Sequence, residues 1–394
     1  MIRQSSSEQK YQPNYSGRKN AAKTVFSLPK DELLAPPDSL LATTTMILVA
    51  IGIVSVYSAG SSKGFETYGS SSHFLIRQFC SALVGLFAMI YFSKISLAKL
   101  EKITVGFGLL TLLLLIAVLI PGIGSEIKGA RRWINLGFGF RFQPSEFARL
   151  ASALMVARYV SKFSERVCTL SGILKCMVLP LIYSFLILLQ PDFDTAFTVL
   201  AIGCVILFVA GVPWRYVLIG AGAAVLVAIL LIWKEPYRMD RIMGFLDPWS
   251  DPRRKGYQII QCWIAMGSGG IFGKGLGASI QKLGFLPEAH TDFIFAVIAE
   301  ELGFVIASLI VVLFGIISWK GYRIAIRQSI PFARYVAIGI TAMVSMQAGL
   351  NLMVVSGLAP TTGVPLPFVS YGGTSLIFMM SSLGILWGIS RRVS

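Results

Sequence analysis

Charge is scarce in this chain of 394 residues: Asp, Glu, Lys and Arg together make up 14% of it, against roughly 25% in soluble domains. Length alone would suggest two or three soluble domains. That reading is excluded by a hydrophobic content of 55% and a mean hydropathy of +0.71, which point to an integral membrane protein. Acidic residues are scarcest, with 19 Asp and Glu against 35 Lys and Arg, a net charge of +16. Cysteines are few. The five, at positions 80, 168, 176, 204 and 262, form no CxxC pair and no Cys/His cluster of zinc-ligand spacing, which argues against a disulfide framework or a structural metal site. No cleavable signal peptide is expected, because residues 1–38 are polar and basic with no early apolar core. No period of 20–50 residues marks a repeat array.

What the chain has in quantity is long apolar runs. A spanning helix needs about 20 mainly apolar residues, and ten candidates are read: 40–60, 74–93, 103–121, 144–161, 171–189, 195–212, 215–233, 293–318, 334–356 and 371–389. The fourth is the least apolar, since it carries Glu146, Arg149 and Arg158. Short loops rich in Lys and Arg stay inside. With the basic tail inside, the loops at 94–102, 158–170 and 319–333 and the terminal Arg391–Arg392 obey that rule. The expectation is an all-α polytopic membrane protein of about ten helices, N-in and C-in, with a large extracytoplasmic loop at 234–292 between helices seven and eight. Residues 1–38 are expected to be a disordered cytoplasmic tail and 39–390 the membrane domain. Most of the +16 then falls on the inner side, so it follows from membrane topology and needs no nucleic acid.

One basic loop breaks the rule. The outer segment 122–142 carries Lys128, Arg131, Arg132 and Arg141, with Glu126 as its single acid. An anionic ligand such as a pyrophosphate would account for these cations, since guanidinium and ammonium groups pair with phosphate oxygens. The plainer reading is contact with anionic lipid head groups. Three other outer segments stand out: the Gln190–Asp194 link, the long stretch 234–292 and the Pro/Gly-rich 357–372. A loop as long as the second is usually functional.

The run Gly267 to Gly277 resembles a phosphate loop but fails the test: Gly273-Lys274 is followed by Gly275, not Ser or Thr, and no GxGxxG register exists. A re-entrant turn whose glycines let the backbone approach a neighbouring helix fits better. In the stretch Leu286 to Phe295, Asp292 stands at the outer start of an apolar helix. Asp292 or Thr291 is either a helix cap, or Asp292 is a general base poised at the membrane boundary. His290 is a polar neighbour or a loop-shaping residue. Glu300 and Glu301 lie deeper and are expected to face the bundle interior, because lipid exposure costs about 2–3 kcal/mol. Glu146 and Arg149 are spaced to pair on one helix face. Asp192 and Asp194 are a weak signal for a cation. Gln347 and Asn351, one turn apart, are expected to cross-link helices.

In combination these segments resemble the SEDS family (shape, elongation, division, sporulation), polytopic enzymes that polymerise peptidoglycan glycan strands. The residues that carry the resemblance are Lys128-Gly129-Ala130-Arg131-Arg132-Trp133-Ile134, Gln143-Pro144-Ser145-Glu146, Gln190-Pro191-Asp192, Tyr257-Gln258-Ile259-Ile260-Gln261, the glycine run, Leu286 to Phe295, and Gly363 to Gly373. They cover roughly residues 40–390. The Phe245-Leu246-Asp247-Pro248-Trp249-Ser250-Asp251-Pro252 segment and the long basic tail favour the division (FtsW) branch over the elongation (RodA) branch. One departure is Asp194, where the family usually has Gly; an Asp can take a left-handed turn conformation.

By resemblance, Asp292 matches an essential aspartate, Lys128 a basic residue linked to activity, and Asp192 a polar residue of the same cavity. Glu126 is carried over only weakly. The resemblance implies lipid II as acceptor, an undecaprenyl-pyrophosphate-linked glycan as donor, a divalent cation (Mg or Mn, with Asp292 and Asp192 as weak candidate ligands), and a class B penicillin-binding protein and other division proteins as partners. It implies the bacterial cytoplasmic membrane, at the septum. Two other readings stay open from the residues alone: a lipid II transporter, which ten spans with broken segments and buried Glu would also suit, and a non-enzymatic scaffold.

Overall fold

The computed structural model describes residues 36–392 apart from positions 128, 136 and 138–140. The sequence-based readings of the tail 1–35 and of Lys128 therefore lie outside the described residues.

The described chain is mostly helical. The helices are α1 (Ser39–Tyr68), α2 (His73–Ser93), α3 (Leu97–Ala117), α4 (Pro144–Lys162), the single turn α5 (Ser164–Val167), α6 (Leu170–Leu188), α7 (Phe193–Val209), α8 (Trp214–Lys234), α9 (Pro236–Leu246), α10 (Tyr257–Gly269), α11 (Ile294–Ile326), α12 (Pro331–Val355) and α13 (Gly373–Ser390). Each of the ten expected spans falls on one of them. By length and composition seven are able to cross a membrane (α1, α2, α3, α6, α11, α12, α13), and α7 and the first part of α8 are shorter apolar helices. The fourth expected span is α4, which keeps its charges by burying them: Glu146 and Arg149 form an i,i+3 ion pair inside the bundle.

Two differences from the expectation have simple causes. The loop 122–142 is not irregular: β1 (Gly124–Ile127), β2 (Ala130–Asn135) and β3 (Arg141–Phe142) form a small antiparallel sheet in the order β1-β2-β3. Hairpin pairing satisfies its backbone without a helix. The basic stretch expected as a loop at 319–333 is largely the last turns of α11, which runs to Ile326.

The bundle closes on small residues. On α4, Ala148, Ala151, Ala153 and Ala157 are fully buried, and α12 faces the bundle with Ala333, Ala337 and Gly339. On α13, Gly384 and Gly388 lie directly on the α2 backbone: a Cβ on either would stand 2.4 or 2.5 Å from the carbonyl oxygens of Met89 and Ser93. Such spacing lets membrane helices approach closely enough for packing forces to hold them. At one end, the Asp38 amide donates to Ser390 Oγ (3.1 Å), Lys320 pairs with Asp38 (2.8 Å), and Arg392 donates to the Ile95 carbonyl (2.8 Å). The start of α1, the α2–α3 link and the ends of α11 and α13 thus share one face.

The glycine run does approach a neighbouring helix, and it does so by entering a break in it. Gly303 in α11 has φ 77°, a left-handed value that favours glycine. There the carbonyls of Glu300 and Glu301 accept from the amides of Lys274 and Gly275 (3.0 and 2.9 Å), while the amides of Phe304 and Val305 donate to Gly270 and Ile271 (2.9 and 3.2 Å). The segment substitutes for the missing turn of the helical ladder, as broken membrane helices require. Glu300 and Glu301 are buried, as expected, and each takes a lysine from this loop: Lys274 at 2.8 Å and Lys282 at 2.7 Å. Ser58 of α1 donates to Glu301 at 2.7 Å, which ties the break to the first helix.

Candidate active site

Asp292 lies in the loop just before α11. The cap reading fails: the N-cap position is Phe293 with no side-chain cap, and Thr291 Oγ1 turns back to the Glu288 carbonyl (3.2 Å). What the loop does show is restraint. Three successive carbonyls each receive a donor from elsewhere in the bundle. His290 accepts from the Tyr371 amide (3.0 Å), Thr291 from Ser370 Oγ (2.5 Å) and Asp292 from Asn351 Nδ2 (2.7 Å). The same Asn351 Nδ2 reaches the Val364 carbonyl (2.8 Å), and Gln347 donates to the Pro365 carbonyl (2.9 Å). Gln347 in turn accepts from Arg149, the partner of Glu146. The expected cross-link by Gln347 and Asn351 is therefore more specific than helix to helix. It holds two loops, 290–292 and 363–371, against each other.

The half-buried carboxylate of Asp292 faces Gly363: a Cβ there would stand 3.7 Å from Asp292 Oδ2. The Gly363 amide points to Asp194 Oδ2 at 3.5 Å. Around this point arginines converge. Arg132 donates through Nε to the Gln190 carbonyl (2.8 Å) and through Nη2 to that of Pro191. Arg241 of α9 donates to the Thr361 carbonyl (2.9 Å), and Arg238, one turn earlier, lies 5.8 Å from the centre of the Phe193 ring. Asp192 is committed to structure: its Oδ1 caps the Thr195 amide and its Oδ2 accepts from Gln143 (both 3.2 Å). Asp194 sits in the first turn of α7, so the left-handed turn envisaged for it does not arise.

The remaining expected residues are placed as follows. Arg131 and Glu126 are cross-strand neighbours and pair with each other at 3.2 Å in the exposed hairpin. His290 is buried among the rings of Phe74 and Tyr371, 4.8 and 5.8 Å away. Arg238 and Arg241 were not singled out from sequence. Nothing in their local sequence marks them, since arginines in a long outer stretch are ordinary. Among the described residues no three His, Cys, Asp or Glu side chains come together. Below the site an apolar groove of about 320 Å³ runs between α7 and α12, lined by Phe197, Ser345, Met346, Gly349, Leu350 and Met353.

These features define a multi-pass membrane protein with a pinned carboxylate near several arginines at the end of the bundle opposite Asp38 and Arg392. The chain belongs to the FtsW/RodA/SpoVE family of cell cycle proteins, whose model matches residues 38–394. It is similar to a probable peptidoglycan glycosyltransferase FtsW of Geobacter sp. (strain M18), 41% identical over 358 residues, 90% of this chain and 97% of that protein. It is similar to stage V sporulation protein E of Bacillus subtilis (strain 168), 38% identical with the same coverage. Among solved structures it resembles a chain of a peptidoglycan synthase complex, described as coordinating polymerization and crosslinking (TM-score 0.74, 31% identity, 90% of this chain and 98% of that one). It also resembles Thermus thermophilus rod shape determining protein RodA (TM-score 0.66, 29% identity, 91% and 98%). The SEDS resemblance drawn from the motifs holds, and relatives named FtsW support its division branch.

Proposed function

We propose that this protein is a peptidoglycan glycosyltransferase that polymerises lipid II into β-1,4 glycan strands during septal wall synthesis. The observation that carries the reading is the Asp292 loop: three consecutive carbonyls are tethered from elsewhere in the bundle, the half-buried carboxylate faces Gly363, and arginines hold the neighbouring carbonyls of Gln190, Pro191 and Thr361. Restraint of this kind positions a base for reaction.

Asp292 takes the proton of the acceptor 4-hydroxyl as that oxygen attacks the anomeric carbon of the donor sugar. The new C–O bond forms on the face opposite the leaving group, so the configuration inverts. The bond to undecaprenyl pyrophosphate breaks, and its developing negative charge is met by Arg132, Arg238 and Arg241. The apolar groove between α7 and α12 accommodates a polyprenyl chain laterally. By this reading the site faces away from the cytoplasm, the chain sits in the cytoplasmic membrane at the septum, and a class B penicillin-binding protein and other division proteins are its partners.

The test is lipid II polymerisation in detergent, where transport has no meaning, by wild type and Asp292→Asn with the co-purified transpeptidase. Polymer from wild type and none from the variant is expected; near-normal polymer from Asp292→Asn would sink the assignment. Repeating it with EDTA and with added Mg or Mn reads the cation requirement directly.

A further inference from the structure

We propose that Asp194 is a displaceable counter-ion: it offsets the charge of Arg132 and Arg241 while the site is empty and competes with the substrate's pyrophosphate for them. The proposal rests on the reading of this site as one that takes a lipid-linked pyrophosphate.

The two acids that open α7 have different duties. Asp192 spends both carboxylate oxygens on the fold, one on the Thr195 amide and one on Gln143. Asp194 caps nothing, and its one described hydrogen bond is a long one, 3.5 Å from the Gly363 amide. Burial and the neighbouring charge of Asp192 oppose its ionisation, while Arg241 and, more weakly, Arg132 act on it as attracting charges. The arginines are held in place by neutral oxygens: the carbonyls of Gln190, Pro191 and Thr361 and the Tyr237 hydroxyl. Hydrogen bonds of that kind orient a guanidinium without cancelling its charge. Among the described residues neither arginine forms a direct salt bridge. Asp194 is thus near enough to be felt and too loosely held to be locked.

A pyrophosphate offers several charged acceptor oxygens to guanidinium donors, where Asp194 offers one distant carboxylate. The substrate therefore displaces Asp194, and every anion entering here works against its charge. Asp292 Oδ2 would stand 3.7 Å from a Cβ on the same Gly363, so the repulsion acts beside the reacting centre. A plainer role also exists, since an acid in the first turn of a helix is favoured by the helix dipole. The two roles differ in what they predict for binding.

Binding of undecaprenyl pyrophosphate to the purified full-length protein in detergent micelles separates them. Asp194→Asn keeps the shape and the acceptor oxygen near Gly363, so it folds. It is expected to bind about tenfold tighter than wild type at low salt, with the gain shrinking as salt is raised. The gain should be lost when Arg241→Gln is added. A purely structural role moves the melting temperature and leaves affinity alone. Unchanged or weaker binding by Asp194→Asn, or a gain indifferent to salt, overturns the proposal. If wild type itself fails to bind undecaprenyl pyrophosphate, the reading of the site falls, and the proposal with it.

Discussion

Replacing Asn351 by Ala tests whether the tethers on the Asp292 loop matter for chemistry. Asn351 is buried, and its Nδ2 donates to the carbonyls of Asp292 at 2.7 Å and Val364 at 2.8 Å. Each such bond is worth about 1 kcal/mol net. Losing both removes roughly 2 kcal/mol of restraint between the two loops. If that restraint is expressed in positioning the base, kcat falls roughly 30-fold, since about 1.4 kcal/mol is tenfold in rate. KM should change by less than about threefold, because the arginines that hold the pyrophosphate are untouched. Asn351→Asp sharpens the test, as it preserves the shape but turns the donor into an acceptor facing two carbonyls. The assay is steady-state lipid II polymerisation by folded, purified variants. A kcat within twofold of wild type for both would refute the claim that this amide positions Asp292.

Lys282 and Glu301 are almost fully buried as a pair 2.7 Å apart. Removing one partner leaves a buried charge alone, so Lys282→Ala should cost about 3–5 kcal/mol in stability, read as a lower melting temperature, and Lys282→Ala with Glu301→Gln should recover part of it. Asp38 supplies a pH dependence. Burial alone would raise its carboxyl, but the hydrogen bond and charge of Lys320 outweigh this and hold it below the ordinary value of 3.8. A lowered folded pKa contributes stability that is present above the ordinary value and is lost as pH falls through the depressed one. Melting curves of wild type and Lys320→Met should therefore differ at pH 7 and converge in acid.

The site's three kinds of residue were unequally legible. Asp292 stands out as a carboxylate at the outer start of an apolar helix, which leaves cap and base open, and the motif resemblance singles it out as the essential aspartate. Arg132 could be found because it violates a charge rule, but Arg131 violates it in the same segment and turns out to bond Glu126 across a hairpin. Only the strand register, Glu126 opposite Arg131, separates them. Arg238 and Arg241 broke no rule, since arginines in a long polar outer loop are ordinary, and they entered the site only through the way α9 lies against Thr361 and Phe193.

By itself the sequence determined the solvent and the layout. Apolar runs of spanning length and the distribution of Lys and Arg are local properties, and a membrane reads them segment by segment, so the helices appear where hydropathy puts them. It also identified the family, because its motifs are contiguous. Which polar groups meet was decided by the tertiary structure alone. The break at Gly303, the lysines on Glu300 and Glu301, and the tether from Asn351 to Asp292 join residues far apart in the chain. Their energies depend on distances of a few ångströms between elements, and no local pattern encodes such a distance.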